Sequence, residues 1–274
     1  MLACEGTNNT NIFISSERLQ MMEVIFLGTG TSHGVPMIAC NCKVCTSDNP
    51  KNKRMRTSVL VCENGCDILI DATPEMRLQC IKNNITRLDA VLITHIHADH
   101  IFGLDDLRRF NIVQRKDIPI YGTPATLEGI KRIFAYAFDI RAENDGYVPR
   151  FSLHAIDGNV TIGGLSIVPI DAIHGNGLVT GYRFERFAYI TDVSEIPEHS
   201  LAKLMNLDVL VLGALRYTPH AKHFNIDQAL DIVSKVRPKK TYFTHICHDI
   251  EHESTNSRLP ENVELAYDGL RIKL

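Results

Sequence analysis

Five short apolar runs in this chain each stop on one polar, titratable side chain. Ile68-Leu69-Ile70 stops at Asp71, and Ala90-Val91-Leu92-Ile93 leads through Thr94 to His95. Pro169-Ile170-Asp171-Ala172-Ile173 stops at His174, Tyr189-Ile190-Thr191 at Asp192, and Thr241-Tyr242-Phe243-Thr244 at His245. Runs of this length, rich in Val, Ile, Leu and Phe, read as buried strands. In α/β folds the ends of such strands are where ligands bind. The second run opens Thr94-His95-Ile96-His97-Ala98-Asp99-His100, which sets three imidazoles and one carboxylate within six positions. Four titratable groups crowded at a strand end add little stability. They become useful when they converge on cations, because neutral imidazole and carboxylate ligate Zn, Mn and Fe.

The pattern of elements predicts the fold class. Strand-like runs cover Glu23–Leu27, Ser58–Cys62, Asp67–Ile70, Ala90–Thr94, Leu165–Ile170, Phe187–Thr191, Val209–Leu212 and Thr241–Thr244. Helical patterns cover Pro74–Asn83, Leu104–Val113, Pro124–Phe138 and Ile226–Val236. Thr73 and Thr123 stand before Pro74 and Pro124, as N-caps stand before a proline in the first turn. Strands followed by helices alternating with strands, in both halves, predict an α/β protein with mixed sheets covered by helices. The segment Glu143–Gly164 reads as a lid or a β-hairpin over the cleft.

The chain has 274 residues, 45% of them hydrophobic and 22% charged, enough for one large domain. Its net charge of −3 does not suit a protein that grips nucleic acid through surface charge, beyond a local patch at Lys51, Lys53, Arg54 and Arg56. No run approaches the roughly 20 apolar residues of a membrane span. The first residues are rich in Asn, Thr and Ser and lack the apolar stretch of a secretory signal, so the expected location is the cytoplasm. Residues 1–21 are expected to be a flexible extension, and residues 22–274 a single domain beginning near Met21-Met22. Without export, the eight cysteines do not suggest a disulfide framework.

The ordered set His-x-His-x-Asp-His, His-Gly, Thr-Asp and Thr-His, each after a strand, resembles the metallo-β-lactamase superfamily from about Met22 to the C-terminus. The resemblance implies a four-layer αβ/βα sandwich of two similar halves, with metals in the cleft between the sheet edges. It implies one metal on His95, His97 and His174, a second on Asp99, His100 and His245, and Asp192 bridging both. Asp71 matches an early aspartate that orients a ligand from outside the coordination sphere. Two cations about 3.5–4 Å apart share a water, lower its pKa and so supply a bridging hydroxide. His154, His199 and His252 read instead as surface or hydrogen-bonded histidines.

Three features point to one branch. Leu27-Gly28-Thr29-Gly30-Thr31-Ser32-His33-Gly34-Val35-Pro36 looks like the opening of the phosphodiesterase branch. Cys40, Cys42 and Cys45 put three thiols in six residues, a set that suits structural zinc once a fourth ligand is found. His248 and Cys247 compete for that place, and a redox motif is the other reading of the thiols. Three cysteines after the Gly-rich turn, with a histidine three residues beyond His245, resemble the PhnP-like group. The resemblance implies an assisting histidine in Arg216-Tyr217-Thr218-Pro219-His220-Ala221-Lys222-His223, with His223 ahead of His220 because it lies next to the helix start at Asn225; a histidine capping that helix is the other reading.

These observations predict a binuclear metal-dependent phosphodiesterase. Its metals are two catalytic divalent ions (Mn, Zn or Fe) and one structural Zn. Its catalytic residues are His223, Asp99 and Asp192, and its substrate a small phosphodiester such as a cyclic ribose or nucleotide phosphate. Neither nucleic acid nor membrane is expected as a partner, and a homodimer follows only from the resemblance. A thioester or lactone hydrolase shares the same ligand set. A tRNA 3′-processing nuclease fits less well, because no long basic arm is present. A zinc module with a decayed hydrolase site would bind without turnover.

Overall fold

Strands that must be buried on both faces cannot alternate apolar with polar, and the central strands here do not. In the computed structural model, which describes residues 21–138 and 148–274, they build two seven-stranded sheets. In chain order the strands are β1 (Glu23–Gly28), β2 (Ser58–Glu63), β3 (Cys66–Ile70), β4 (Ala90–Leu92), β5 (Ile118–Gly122), β6 (Phe151–Ala155), β7 (Val160–Ile162), β8 (Leu165–His174), β9 (Gly177–Phe184), β10 (Phe187–Ile190), β11 (Val209–Gly213), β12 (Lys240–Thr244), β13 (Val263–Leu265) and β14 (Arg271–Lys273). One sheet runs β14-β1-β2-β3-β4-β5-β6, the other β13-β12-β11-β10-β9-β8-β7. Each is mixed: β1, β2 and β3 pair antiparallel while β3 to β6 run parallel, and β8, β9 and β10 pair antiparallel while β10 to β13 run parallel.

The helices are α1 (Met76–Lys82), α2 (Ala98–Ile101), α3 (Leu107–Gln114), α4 (Pro124–Ile133), α5 (Glu198–Ala202), α6 (Ile226–Val236) and α7 (His252–Asn256). Three apolar clusters divide the layers. Ile68 and Ile70 of β3 meet Tyr182, Phe184 and Tyr189 between the sheets. Leu69, one residue out of phase, faces Met76 of α1, Phe110 of α3 and Ile130 of α4. Ile190 and Leu212 pack against Ala229, Ile232 and Val233 of α6. The period of two along each strand thus feeds both faces, and the result is the expected αβ/βα sandwich.

Several expectations need correction. Residues 148–164, the described part of Glu143–Gly164, are not a hairpin: β6 pairs with β5 and β7 with β8, so these strands close the edges of two different sheets. The described part is not a lid either, since both its strands are paired into the sandwich, and residues 143–147 lie outside the described residues. Thr73 does not cap α1, which starts two residues after Pro74; its hydroxyl donates to Gln79 instead, at 3.0 Å. Thr123 does cap α4, accepting from the Thr126 N–H at 3.2 Å. The long patterns from Leu104 and from Pro124 each split, with a 3-10 turn before α3 and another after α4. The expected extension at residues 1–21 falls, apart from Met21, outside the described residues.

Candidate metal centre

The loop after β4 cannot continue the strand, because His97 and the residues after it turn into the single-turn helix α2. That turn carries Asp99 and His100 back over the strand ends. His174 closes β8, Asp192 lies just after β10, and His245 just after β12. Asp71, Asp192 and His245 all have positive φ, at 63°, 52° and 58°. A left-handed backbone is costly for a residue with a Cβ and is tolerated where the surroundings require it. Here it turns three polar side chains from their strands to the same rim.

The result is two adjoining groups. His95, His97, His174 and Asp192 place one ligand atom each within 4.8 Å of one another, and so do Asp99, His100, Asp192 and His245. Asp192 belongs to both. His95 Nε2 and His97 Nδ1 face each other at 2.8 Å. Asp192 Oδ2 lies 3.9 Å from His95 Nε2, and its Oδ1 lies 3.4 Å from His100 Nε2 and 3.2 Å from His245 Nε2.

Neighbouring groups fix the rings. The fully buried carboxylate of Asp71 accepts from His100 Nδ1 at 2.7 Å, from the Thr94 N–H at 2.9 Å and from the Thr94 hydroxyl at 2.9 and 3.1 Å. The Lys222 carbonyl accepts from His174 Nδ1 at 2.8 Å, which leaves Nε2 for the centre. The Thr191 hydroxyl donates to Asp192 Oδ1 at 2.9 Å. Thr94 appears within the motif string but its role is visible only in three dimensions, and the Lys222 carbonyl left no signal in the sequence at all.

Electrostatics favour cations here. Burial works against ionised carboxylates, yet His245 and His100 outweigh it and hold Asp192 well below the usual carboxylate range. Asp99 is likewise lowered, against burial, by the neighbouring His100 and His245 rings. Burial, joined by the neighbouring His100, pushes His95 well below its ordinary value. His100 goes the other way: burial opposes its charged form, but Asp192 and Asp71 raise it. His100 Nε2 and both ring nitrogens of His245 are buried with no hydrogen-bond partner among the described residues. Orphaned buried nitrogens are costly, and a cation in the Asp99–His100–Asp192–His245 group would satisfy His100 Nε2 and His245 Nε2, the two that face its carboxylates.

His223 borders both groups. Its ring packs edge-on against His174, with centroids 4.6 Å apart, and stacks on His245 at 4.8 Å with 15° between planes. His220 lies beyond it, 5.1 Å from His223, and its Nδ1 accepts from the Lys222 N–H. Burial and the adjacent His245 lower His223 to about 3. The cap of α6 is Asn225, in a reciprocal pair with Gln228, so His223 is not needed there. A cavity of about 290 Å³ runs from His223 to His248 and is lined also by Ser32, His33, Arg216 and His220.

At its far end Cys40, Cys42, Cys45 and His248 form a third group within 4.8 Å. His248 Nδ1 lies 3.2 Å from Cys40 Sγ and 3.4 Å from Cys42 Sγ. The Cys45 N–H donates to Cys42 Sγ at 3.4 Å, the leading reason the Cys42 thiol falls to about 6. Burial instead raises Cys45 to about 11. Cys247, the rival for the fourth place, is not in this group; its sulfur accepts from the Asp249 N–H at 3.4 Å. The remaining histidines are hydrogen-bonded elsewhere: His154 with Ser152, His199 with Asp171, and His252 with Arg54 and Asn256.

The Gly-rich opening positions this rim. A Cβ on Gly28 would strike the Arg56 carbonyl. The bare backbone at Gly30 bridges to Arg56 on one side and to Ile246, next to His245, on the other.

Residues 67–246 match the model of the beta-lactamase superfamily domain. The chain therefore belongs to the beta-lactamase superfamily, and it has the metallo-β-lactamase fold, whose hydrolases use divalent metals. It is similar to the crystal structure of a new diphosphatase from the PhnP family, at 40% identity and a TM-score of 0.87 over 93% of this chain and 97% of that one. It is 34% identical, over 254 residues and 91% of its length, to an octanoyltransferase of Porphyromonas gingivalis. The chain spans only about half of that relative, 51%. Zinc-bound PqqB of Methylobacterium extorquens shares the fold at 20% identity, with a TM-score of 0.76 over 92% of this chain and 100% of that one. Among the described residues no helix is long and apolar enough to cross a membrane.

Proposed function

We propose that the protein is a binuclear metal-dependent phosphodiesterase acting on a small phosphodiester, such as a cyclic ribose or nucleotide phosphate. The observation that carries this reading is His223, a histidine outside both ligand groups whose ring touches a member of each. His95, His97 and His174 would hold one cation and Asp99, His100 and His245 the other, with Asp192 shared. When bound, such a pair supplies hydroxide near neutral pH and neutralises charge on the attacked phosphoryl group. The chain's own part is positioning. Asp71 and the Lys222 carbonyl set the His100 and His174 rings, and Thr191 sets Asp192. His223 offers a ring N–H to the leaving oxygen or to the charge developing at phosphorus. Cys40, Cys42, Cys45 and His248 would hold a structural zinc that pins the early loop beside the cavity.

The similarity to a PhnP-family diphosphatase supports phosphoryl chemistry and favours a second reading, cleavage of a P–O–P link. Arg216, His33 and His220 line the cavity next to His223, where a second phosphate would sit. Hydrolysis of bis-p-nitrophenyl phosphate with Mn or Zn tests the first reading. No turnover by the protein loaded with two metals, together with no effect of His97→Ala, would sink it. Faster cleavage of a diphosphate ester than of the monophosphate diester would favour the second.

A further inference from the structure

A second cavity lies in the outer helical layer of the first half and shares no lining residue with the metal groups or with the cavity beside His223. It encloses about 660 Å³ between α1 and α3, within the range of small-molecule sites. Its floor is Met76, Cys80 and Phe110, all buried, and burial pushes the Cys80 thiol up to about 12. Ile81 and Val113 form its walls and are 61% and 53% exposed, which is unusual for large aliphatic side chains facing one groove. Its polar edge carries Arg77 and Arg109 beside Asp106, with Arg108 held by Asp105 at 3.2 Å.

An apolar trough with a cationic edge matches one kind of ligand: a single hydrocarbon chain with an anionic head. The length of the trough limits the chain. Helices of 7 and 8 residues make walls roughly 10–12 Å long. That is shorter than the roughly 16 Å that three turns of a docked amphipathic helix would need. We propose that this groove binds a free medium-chain fatty carboxylate, its tail on Met76, Cys80 and Phe110 and its head at the arginine edge.

Calorimetric titration of the full chain with sodium hexanoate, octanoate and decanoate below their micelle concentrations tests this, with octanol as the neutral control. Octanoate is expected to saturate at one per chain. Affinity should rise about fourfold per added methylene until the groove is full. Ile81→Glu and Val113→Glu change exposed positions and should keep the parental melting temperature while weakening octanoate at least tenfold. Arg77→Gln with Arg109→Gln should weaken octanoate and spare octanol. Absence of saturable binding, absence of a chain-length trend, or glutamate variants that bind like the parent would each overturn the proposal. A dimer in light scattering that Ile81→Glu dissociates, without octanoate binding, would assign the face to a second copy and overturn it too.

Discussion

Replacing Asp71 with Asn changes one atom pair at the base of the metal centre, and the geometry says what that change must do. The carboxylate accepts from the Thr94 N–H at 2.9 Å on one oxygen and from His100 Nδ1 at 2.7 Å on the other, with the Thr94 hydroxyl shared between them. An amide has one accepting oxygen. If that oxygen faces Thr94, the amide NH2 meets the His100 Nδ1–H, donor against donor. The conflict is relieved when His100 moves its proton to Nε2, the nitrogen that faces Asp99 and Asp192. A protonated Nε2 cannot ligate a cation. Losing one buried, charge-assisted hydrogen bond costs about 1.5–3 kcal/mol. That corresponds to a metal affinity lower by about 10–100-fold, the usual scale for groups that orient a ligand. The effect should concentrate on the Asp99–His100–His245 group, because His174 is held separately by the Lys222 carbonyl. Competition with a graded chelator, followed by metal analysis, reads the two affinities. If Asp71→Asn keeps both metals at parental affinity, the orienting role assigned to Asp71 is wrong.

Other outcomes follow from the same contacts. His223→Ala should lower kcat on a phosphodiester about 100-fold or more while metal content stays at the parental value; a parallel loss of metal would make His223 a ligand instead. Cys42→Ser should remove about one zinc per chain and lower the melting temperature, since structural zinc binding is coupled to folding; unchanged metal content would exclude the site. Gly28→Ala should destabilise the domain in denaturant melts, because its methyl group meets the Arg56 carbonyl; parental stability would show that the loop gives way at no cost. His252 is 1% exposed, and burial, with Arg54 and Lys51 nearby, lowers it to about 4 against the counter-pull of Glu253 and Glu251. The unfolded chain then binds the proton first, so stability should fall by up to about 3 kcal/mol as pH drops from about 6.5 through 4. His252→Gln should flatten that slope in matched titrations, and an identical slope in the variant would refute the assignment.

How far the sequence carries can be followed element by element. The strands ending at Asp71, His95 and Asp192 are legible because they lie between a helix layer and a second sheet, so nearly every residue is apolar. Strand β5 is not, because Pro119 interrupts Ile118-Pro119-Ile120, and a proline argues against a strand inside a sheet. Strand β9, Gly177–Phe184, opens with two exposed residues and contains two glycines, so its pairing with β8 makes it a strand rather than its own composition. The misread Glu143–Gly164 segment fails for a related reason. Two short strands joined by a turn look like a hairpin locally, and only the crossing from one sheet to the other separates them.

The site divides along the same line. Residue types and order suffice to pick out Asp71, His95, His174, Asp192 and His245, because each sits where a buried strand stops. Apart from Asp71, what orients them does not show in residue type. A backbone carbonyl at Lys222, a left-handed turn at His245 and a threonine hydroxyl at position 191 are properties of chain path. The thiol group shows the difference at a single residue. Cys247 is the better zinc ligand by chemistry and a direct neighbour of His248 in sequence. Its N–H donates to the Leu215 carbonyl and its sulfur accepts from the Asp249 N–H, so the chain turns Cys247 to another partner and delivers His248 to the thiols. Exchanging the two side chains, Cys247→His together with His248→Cys, should therefore not preserve the cluster. The imidazole would point away from the thiols, and the new sulfur would stop about one bond short of the Nδ1 that now faces Cys40 and Cys42. Zinc content in that double variant should fall as it does in Cys42→Ser, and retention of the metal would mean that composition, not chain path, decides the site.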